Sequence, residues 1–242
     1  MTLDKDLTLS VLQSGKMRLE GQFVYGSNYT YLGICQLNQR TLKVVYKPIQ
    51  GERPLWDFPV HTLAKREVAA YLVSEALGWD LVPPTVLRNQ QAPLGPGSVQ
   101  LFIEHDPNTH YFNLNESDRT LLPRVALFDL LINNADRKGG HLLFDPQGKL
   151  WLIDHGLSFN VEDKLRTVVW EMAGQRIPSD LLMDLEKISQ NLGPEKALYE
   201  ALQALLSPEE IEALQERTQK YHDRQIFPLP PEDRRAYPWP LI

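Results

Sequence analysis

Two aspartates separated by a short hairpin are the residues of this sequence best suited to chemistry. Asp136 lies in a polar loop after an apolar helix, and Asp154 ends the second of two short predicted strands, His141–Asp145 and Leu150–Asp154. Because both strands are short, the hairpin returns Asp154 to the neighbourhood of Asp136. Two carboxylates at one edge of a hairpin repel each other unless a positive charge lies between them. A hard divalent cation such as Mg²⁺, bridging phosphate oxygens, would supply that charge.

The elements that must position these aspartates begin with a β-rich first third of the chain. Segments rich in β-formers and separated by turn residues predict an antiparallel meander, with strands near Leu7–Leu12, Met17–Tyr25, Tyr29–Leu37 and Thr41–Tyr46. A helix is predicted over residues 62–77, with Thr62 as its N-cap and Gly78 as its stop signal. Two further strands, Thr85–Arg88 and Ser98–Glu104, are predicted after it.

The second half of the chain reads as mostly helical. A polar stretch over residues 105–115 is the predicted hinge between two lobes, and an apolar helix follows at Asp118–Ile132. Ser207 begins a capping box with proline at the first helical position, which marks a later helix. The proline-rich tail from Phe227 onward is expected to pack along the surface as an extended strap.

Residues 128–141, followed by residues 152–156, resemble the catalytic segment of the protein-kinase-like superfamily. The resemblance is closest to its phosphatidylinositol 3-/4-kinase and HipA-type branches. In that superfamily an aspartate of the catalytic loop orients the acceptor hydroxyl, and Asp136 matches it by position. Lys138 stands where the protein-kinase branch places a lysine near the transferred phosphate. The resemblance therefore implies catalytic roles for Asp136 and Lys138.

The same resemblance implies a metal site formed by Asp154 and His141. Asp154 matches the aspartate that opens the family's Asp-Phe-Gly turn, although the turn here reads Asp154-His155-Gly156. His141 stands where the family has a metal-binding asparagine. A neutral imidazole prefers metal ions that are softer than Mg²⁺. The predicted metal is therefore Mg²⁺ or Mn²⁺.

A lysine and a glutamate of the N-terminal half match the family's phosphate clamp. Lys47 ends a predicted strand at the position of the lysine that holds the α- and β-phosphates. Glu67, on the following helix, occupies the place of the glutamate that pairs with that lysine. The resemblance implies that this pair keeps the ammonium charged and directed into a cleft.

The remaining nucleotide contacts that the resemblance implies are backbone groups. A hairpin turn would lie over the phosphates and donate backbone N–H groups from Gly26, Ser27 and Asn28. The strand entering the hinge would read adenine through Phe102, Ile103 and Glu104. The expected cofactors are thus ATP and a divalent cation.

Together these features predict an α+β, two-lobed protein-kinase-like fold. The N-lobe, residues 1–104, would be an antiparallel β meander with one helix, and the C-lobe, residues 105–242, would be mostly helical. It would carry the catalytic loop, the metal-binding hairpin and the proline-rich tail.

A narrower resemblance is carried by residues 51–59 and 66–72. They resemble an uncharacterised bacterial family of short proteins usually labelled phosphatidylinositol kinase-like, over about residues 21–159. That label describes the fold and does not establish a substrate. Trp56 and Phe58 are expected to be packing residues that anchor a long loop.

The composition places the chain among ordinary globular proteins. Of its 242 residues 43% are hydrophobic and 23% charged, and the formal net charge of -6 argues against binding to nucleic acid or anionic membranes. The single cysteine, Cys35, excludes an internal disulfide framework. The N-terminus lacks the pattern of a signal peptide, and no apolar run is long enough to span a bilayer. We therefore expect a cytoplasmic protein without stable membrane insertion.

The leading functional prediction is ATP- and metal-dependent phosphotransfer to a hydroxyl group. The acceptor could be a protein serine or threonine, an inositol-like or other small alcohol, or a lipid head group. A lipid is the least supported, because the sequence shows neither a basic surface helix nor an apolar anchor. His141 keeps open a pseudokinase, that is, a nucleotide-responsive binding module without turnover, which could act on a protein partner. An enzyme that transfers AMP on the same fold is a third interpretation. A metallohydrolase would leave Lys47 and Glu67 without a task.

Overall fold

The first half of the chain forms one antiparallel sheet. The structure is a computed structural model, and it describes residues 4–24 and 28–242. The five strands are β1 (Lys16–Gln22), β2 (Tyr31–Leu37), β3 (Arg40–Pro48), β4 (Thr85–Arg88) and β5 (Gly97–Leu101). Their order in the sheet is β1-β2-β3-β5-β4, and every neighbouring pair is antiparallel. The meander of β1 to β3 was predicted from the sequence.

The first predicted strand, Leu7–Leu12, is wrong: these residues belong to a helix, α1 (Lys5–Ser14). Asp4 caps it, because its carboxylate accepts a hydrogen bond from the backbone N–H of Leu7 at 3.2 Å. The buried residues Thr8, Val11 and Leu12 follow the three- and four-residue spacing of one helix face. That face packs against the sheet, so α1 adds a layer behind β3 and β4.

The helix predicted over residues 62–77 is present as α2 (Leu63–Ala76). Its N-terminus is capped by a residue from outside the helix, since a carboxylate oxygen of Glu52 accepts from the backbone N–H of Ala64 at 2.9 Å. The predicted N-cap Thr62 instead donates its hydroxyl hydrogen to the carbonyl of Pro59 at 2.7 Å. We refer to the sheet with α1 and α2 as the N-lobe.

The C-lobe contains the remaining helices and a small hairpin. The helix predicted at Asp118–Ile132 is divided into α3 (Glu116–Arg119) and α4 (Leu122–Ile132). The hairpin strands are β6 (Leu142–Phe144) and β7 (Leu150–Leu152), and three helices follow, α5 (Ser179–Asn191), α6 (Ala197–Gln203) and α7 (Pro208–Arg224). Pro123 lies in the first turn of α4, where proline is tolerated, and this explains why a new helix begins there.

Two predictions about the C-terminal region can be compared with the structure. The capping box of α7 is present, with Ser207 accepting from Glu210 N–H and the Glu210 carboxylate accepting from Ser207 N–H. The tail after α7 has no regular helix or strand and lies against the segment of residues 163–170 and the catalytic loop. Near the end of this tail, the carbonyl of Leu241 accepts a hydrogen bond from the backbone N–H of Gly139 at 2.7 Å.

The two lobes have separate apolar cores. One cluster lies between α1 and the sheet, and a larger one fills the C-lobe around α4 and includes part of α2. The connecting residues 102–110 have no regular secondary structure, so the lobe boundary at residue 104 stays a prediction. Phe58 is buried as expected, but Trp56 is 92% exposed and does not anchor its loop. Among the described residues, no helix is long and apolar enough to cross a membrane.

Candidate active site

A cleft of about 300 Å³ lies between the lobes. One end is apolar and is lined by side chains from both lobes, namely Val45, Leu101, Ile103, Leu143 and Ile153. The other end is charged and is lined by Lys47, Glu67, Asp136, Lys138, His141 and Asp154. An apolar slot that opens onto charged groups suits a ligand with a flat ring system at one end and anionic groups at the other.

Lys47 is at the centre of the charged end. It projects from β3, and its ammonium bonds the Glu67 carboxylate and lies 2.9 Å from Oδ1 of Asp154. Burial opposes the charged form of Lys47, but the carboxylates of Asp154 and Glu67 outweigh it and raise its pKa. The ammonium is therefore charged at neutral pH and is held between elements of the two lobes.

Glu67 fixes more than the lysine. It is 3% exposed on α2, and its second carboxylate oxygen accepts from the backbone N–H of His155 at 3.0 Å. Asp154 precedes that amide and adopts a left-handed backbone conformation with φ of 62°. This conformation is uncommon for residues other than glycine and is held here by the contacts of Glu67 and Lys47.

The carboxylate of Asp154 is only half-buried and faces the cleft. Lys47 beside it holds the pKa of Asp154 well below its usual range, and His141 and Lys138 act in the same direction against the effect of burial. Asp154 is thus ionised at all physiological pH values. An ionised carboxylate that faces a cleft is a suitable oxygen ligand for a hard cation.

Asp136 lies in the same cleft, on the loop after α4. Its carboxylate pairs with the Lys138 ammonium at 3.0 Å, and its backbone N–H donates to the side-chain oxygen of Asn134 at 3.0 Å. Burial raises the pKa of Asp136, and Asp154 adds to the shift, whereas Lys138 opposes it. The sequence prediction that Asp136 and Asp154 lie close together agrees with this placement.

The loop that carries Asp136 is held by a buried ion pair that was not identified from the sequence. Asp129 of α4 and Arg137 are both fully buried, and the guanidinium contacts the carboxylate at 2.9–3.1 Å. The Asp129 carboxylate also accepts from Asn134 at 3.0 Å and from the Thr167 hydroxyl at 3.1 Å. Such a network restricts the catalytic loop to one conformation.

Arg137 also reaches the residue after Asp154. One of its terminal nitrogens lies 2.8 Å from Nε2 of His155, and another donates to the carbonyl of Ile153 at 2.9 Å. Because a guanidinium only donates, Nε2 of His155 is the acceptor and its proton is on Nδ1. Burial and the charge of Arg137 lower the pKa of His155 well below its ordinary value. His155 is therefore a neutral packed residue of the turn.

His141 lies at the edge of the cleft, and the structure fixes its tautomer. Nδ1 accepts from the backbone N–H of Lys138 at 3.3 Å, which leaves the proton on Nε2, 3.4 Å from the Asp154 carboxylate. Burial, assisted by nearby cations, lowers the pKa of His141 to about 4, although Asp154 opposes the shift. In this tautomer the ring lone pair faces the backbone and not the cleft.

Of the three hinge residues predicted to contact a nucleotide, two line the cleft and Glu104 does not. Phe102 and Ile103 line the cleft. Within the described part of the chain the backbone N–H of Ile103 is not used in a hydrogen bond, so it is available to a ligand. The Glu104 side chain is exposed and pairs with Lys43 of β3, which leaves only its backbone as a candidate contact.

The predicted phosphate-covering turn is described only in part. Gly26 and Ser27 lie outside the described residues. Asn28 lines the cleft, and its side-chain oxygen accepts from the backbone N–H of Arg53 at 2.8 Å. This bond joins the turn to the loop that precedes α2.

The groups that line the cleft determine whether ATP and a divalent cation fit into it. Among residues 4–24 and 28–242, no group of three or more acidic, histidine or cysteine side chains is arranged to hold a metal by itself. Magnesium often binds through one or two carboxylates together with substrate phosphates, and Asp154 supplies such a carboxylate. The apolar slot, the lysine and the two aspartates therefore fit a metal–nucleotide complex.

Three solved structures share this architecture. Fam20 of hydra, solved with sugar, has a TM-score of 0.59 at 15% identity and covers 92% of this chain and 89% of its own. A Golgi casein kinase gives 0.58 at 16% identity (90% and 73% covered), and the proinflammatory kinase CtkA of Helicobacter pylori gives 0.55 at 12% (89% and 94%). At this identity the likeness shows the fold alone. The two-lobed α+β, protein-kinase-like fold predicted from the sequence is confirmed.

The chain belongs to the family of protein Rv2133c of Mycobacterium tuberculosis. The two are 40% identical over 275 residues, which cover all of this chain and 98% of the relative. Phosphatidylinositol 4-kinase gamma 4 of Arabidopsis thaliana is 32% identical over 117 residues, or 38% of this chain and 21% of that one. No family model matches the chain.

Proposed function

We propose that this protein is an ATP- and divalent-metal-dependent phosphotransferase that acts on a hydroxyl acceptor. The observation that carries the proposal is the position of the Lys47 ammonium, bonded to Glu67 of α2 and 2.9 Å from Asp154 of the C-lobe, in a cleft that also contains Asp136. A lysine held between two carboxylates is arranged to receive phosphate oxygens at the mouth of an apolar slot.

Each residue of the cleft has a task under this proposal. Asp154 would hold the cation, and Lys47 would bind the phosphates. The bound nucleotide and cation supply the phosphoryl group and neutralise its charge. The Asp136 carboxylate would orient the acceptor hydroxyl and accept its hydrogen bond. Lys138, 3.0 Å from that carboxylate, would stabilise negative charge beside it.

The finer assignment that we favour is the phosphatidylinositol 3-/4-kinase-like branch of the superfamily. It is supported by the partial likeness to phosphatidylinositol 4-kinase gamma 4. The likeness covers 38% of this chain, so it supports a common origin of that segment and not a common acceptor. A hydroxyl on a protein, a small alcohol or an inositol-type head group all remain open as acceptors.

Nucleotide binding is the first test. The melting temperature of the wild type should rise with ATP only when Mg²⁺ or Mn²⁺ is present, and Lys47→Ala and Asp154→Ala should abolish the rise. Lys43→Ala is the matched control, because Lys43 lies on the same strand and pairs with exposed Glu104. No shift with either metal in a folded wild-type sample would contradict the proposal.

Turnover is the second test and separates binding from catalysis. Asp136→Ala should retain the ATP-dependent rise in melting temperature but lose about 10²–10⁴-fold in phosphoryl transfer or metal-dependent ATP hydrolysis. Label in the γ-position of ATP should be transferred and label in the α-position should not. Transfer of the α-label would instead indicate an AMP-transferring enzyme.

The position of His141 supports a second candidate function, a pseudokinase that binds nucleotide without turnover. The Nδ1 lone pair of His141 accepts a hydrogen bond from the backbone N–H of Lys138, so it does not face the cleft and is not a ligand for a cation there. This candidate predicts that the wild type binds ATP without hydrolysing it and that His141→Asn gains metal-dependent turnover. Turnover by the wild type that His141→Asn does not raise would exclude it.

A further inference from the structure

Arg66 precedes Glu67 on α2 but faces away from the cleft. Its side chain is 1% exposed. One terminal nitrogen donates to the Glu210 carboxylate at the start of α7, and the other donates to the carbonyl of Ser158. The ring of Phe58 lies 5.0 Å from the guanidinium carbon. A single arginine of the N-lobe is therefore joined to two separate elements of the C-lobe.

The partner Glu210 is itself fixed. One carboxylate oxygen receives Arg66, and the other accepts from the backbone N–H of Ser207 at 3.0 Å to complete the capping box of α7. Moving the glutamate would break the cap of a long helix. Ser158 belongs to the segment that continues from Asp154. Arg66 thus ties α2 both to a rigid helix terminus and to the segment that carries the predicted metal ligand.

Adjacent residues of a helix point about 100° apart, so Arg66 and Glu67 contact different groups although they lie in the same turn of α2. Glu67 reaches Lys47 and the backbone of His155, whereas Arg66 reaches Ser158 and Glu210. A rotation of α2 that breaks the Arg66 contacts also withdraws Glu67 from Lys47. Both sets of contacts therefore require the same orientation of α2.

We propose that Arg66, anchored by Glu210, is a positioning residue that sets the orientation of α2 in which Glu67 pairs with Lys47. The role in catalysis rests on the proposed function, but the positioning itself is a property of the fold. A buried ion pair is weak evidence for stability and is often retained because it specifies one arrangement. The ion pair between Arg66 and Glu210 is assigned that task.

The direct readout is the rate at which acetic anhydride acetylates Lys47 at pH 8. Mass spectrometry of the digested protein gives this rate for each lysine. In the wild type the paired ammonium should react slowly. Glu67→Gln sets the reference rate, which is that of a Lys47 side chain that has lost its glutamate partner. Arg66→Lys and Glu210→Gln should raise the Lys47 rate to within about twofold of Glu67→Gln. Adding Arg66→Lys to Glu67→Gln should raise it no further.

Arg88→Lys is the matched control for lost stability. Arg88 is 1% exposed in the same lobe but bonds backbone carbonyls, including that of Gly15 at 2.6 Å. This variant should melt at a lower temperature and leave the Lys47 rate unchanged. Glu210→Gln keeps an amide oxygen that can accept from Ser207 N–H, so it retains the cap of α7 and serves as the second variant where an Arg66 variant does not fold.

The outcomes separate the positioning role from the proposed function. A wild-type rate at Lys47 in folded Arg66→Lys and Glu210→Gln would overturn the positioning role, whether or not the protein binds ATP. If those variants expose Lys47 but the wild type binds no ATP with Mg²⁺ or Mn²⁺, positioning stands and phosphotransfer is wrong. If both hold, the variants should also lose the larger part of the ATP-dependent rise in melting temperature that Glu67→Gln loses.

Discussion

The outer core of the N-lobe and the interface between the lobes are built from different contacts. The outer core, between α1 and the sheet, is an apolar cluster of Val11, Leu12, Met17, Cys35, Val44, Tyr46 and Val99. Its buried arginine, Arg88, bonds backbone carbonyls. At the interface, Lys47 pairs with Asp154 and Arg66 pairs with Glu210, each across the two lobes, and beside it Arg137 pairs with Asp129 inside the C-lobe.

The difference indicates a division of labour. Apolar contacts stabilise in proportion to buried area and have little directional preference. Charge-assisted hydrogen bonds are short and directional, so they fix the angle at which two elements meet. We therefore expect changes in the outer core to alter stability alone, and changes at the interface to alter the cleft as well.

The largest expected loss of stability follows from breaking the buried pair behind the catalytic loop. Asp129→Ala leaves the Arg137 guanidinium buried without its carboxylate, and the free energy of unfolding should fall by about 3–5 kcal/mol. Urea unfolding measures this. The paired change Asp129→Leu with Arg137→Met should recover most of the stability but not the ATP-dependent rise in melting temperature. Full recovery of both would show that the pair does not organise the cleft.

A cavity in the outer core should be nearly as destabilising but should leave the cleft intact. Leu12 is fully buried, so Leu12→Ala should lower the free energy of unfolding by about 2–5 kcal/mol. The ATP-dependent rise in melting temperature, measured at a temperature where the variant is folded, should equal that of the wild type. A reduced rise would mean that the outer core also shapes the cleft, and the comparison would fail.

The interface should also respond to pH. The pKa of His141 is lowered to about 4, below its unfolded value of 6.5, so the folded state binds its proton less readily than the unfolded state. Stability should therefore fall as pH decreases from about 6.5 toward 4, by at most about 3 kcal/mol from this residue. His155, whose pKa is also lowered, acts in the same direction. Asp154 adds a further loss below its ordinary pKa, and Asp136, with a raised pKa, opposes it.

His141→Asn tests this assignment, because asparagine does not titrate. Thermal melting between pH 4 and 7 should show a shallower decline for the variant than for the wild type, with the remaining slope due to His155 and, in the opposite direction, Asp136. Identical slopes would place the titrating groups elsewhere.

Much of the fold was predictable from local pattern, and the exception is instructive. Residues 7–11 alternate leucine or valine with threonine or serine, which favours a strand, but Thr8, Val11 and Leu12 also fit one helix face. A segment this short satisfies both periods. The cap at Asp4 and the packing of α1 against the sheet decide for the helix.

The candidate site was predictable only where residue order carries information. Lys47, Glu67, Asp136 and Asp154 follow one another in the order of the superfamily, and the structure brings them into one cleft. Their supporting pairs join positions far apart in the chain, and no local pattern couples Arg66 with Glu210. Arg137 directly follows Asp136 in the chain. Its burial could not be seen from its type, because a lone arginine in a loop is usually solvated.

The smallest expected effect compares two lysines of one strand. Lys43 and Lys47 both project from β3 and both reach a glutamate, but the Lys43 and Glu104 side chains are 57% and 64% exposed. Exposed pairs contribute little because water screens them, so Lys43→Ala should change the free energy of unfolding by less than about 0.5 kcal/mol. Added salt should reduce even that difference, whereas the pairing of Lys47, enclosed in the cleft, should persist. A loss at Lys43 comparable to that at Lys47 would mean that position on the strand matters more than enclosure by two lobes.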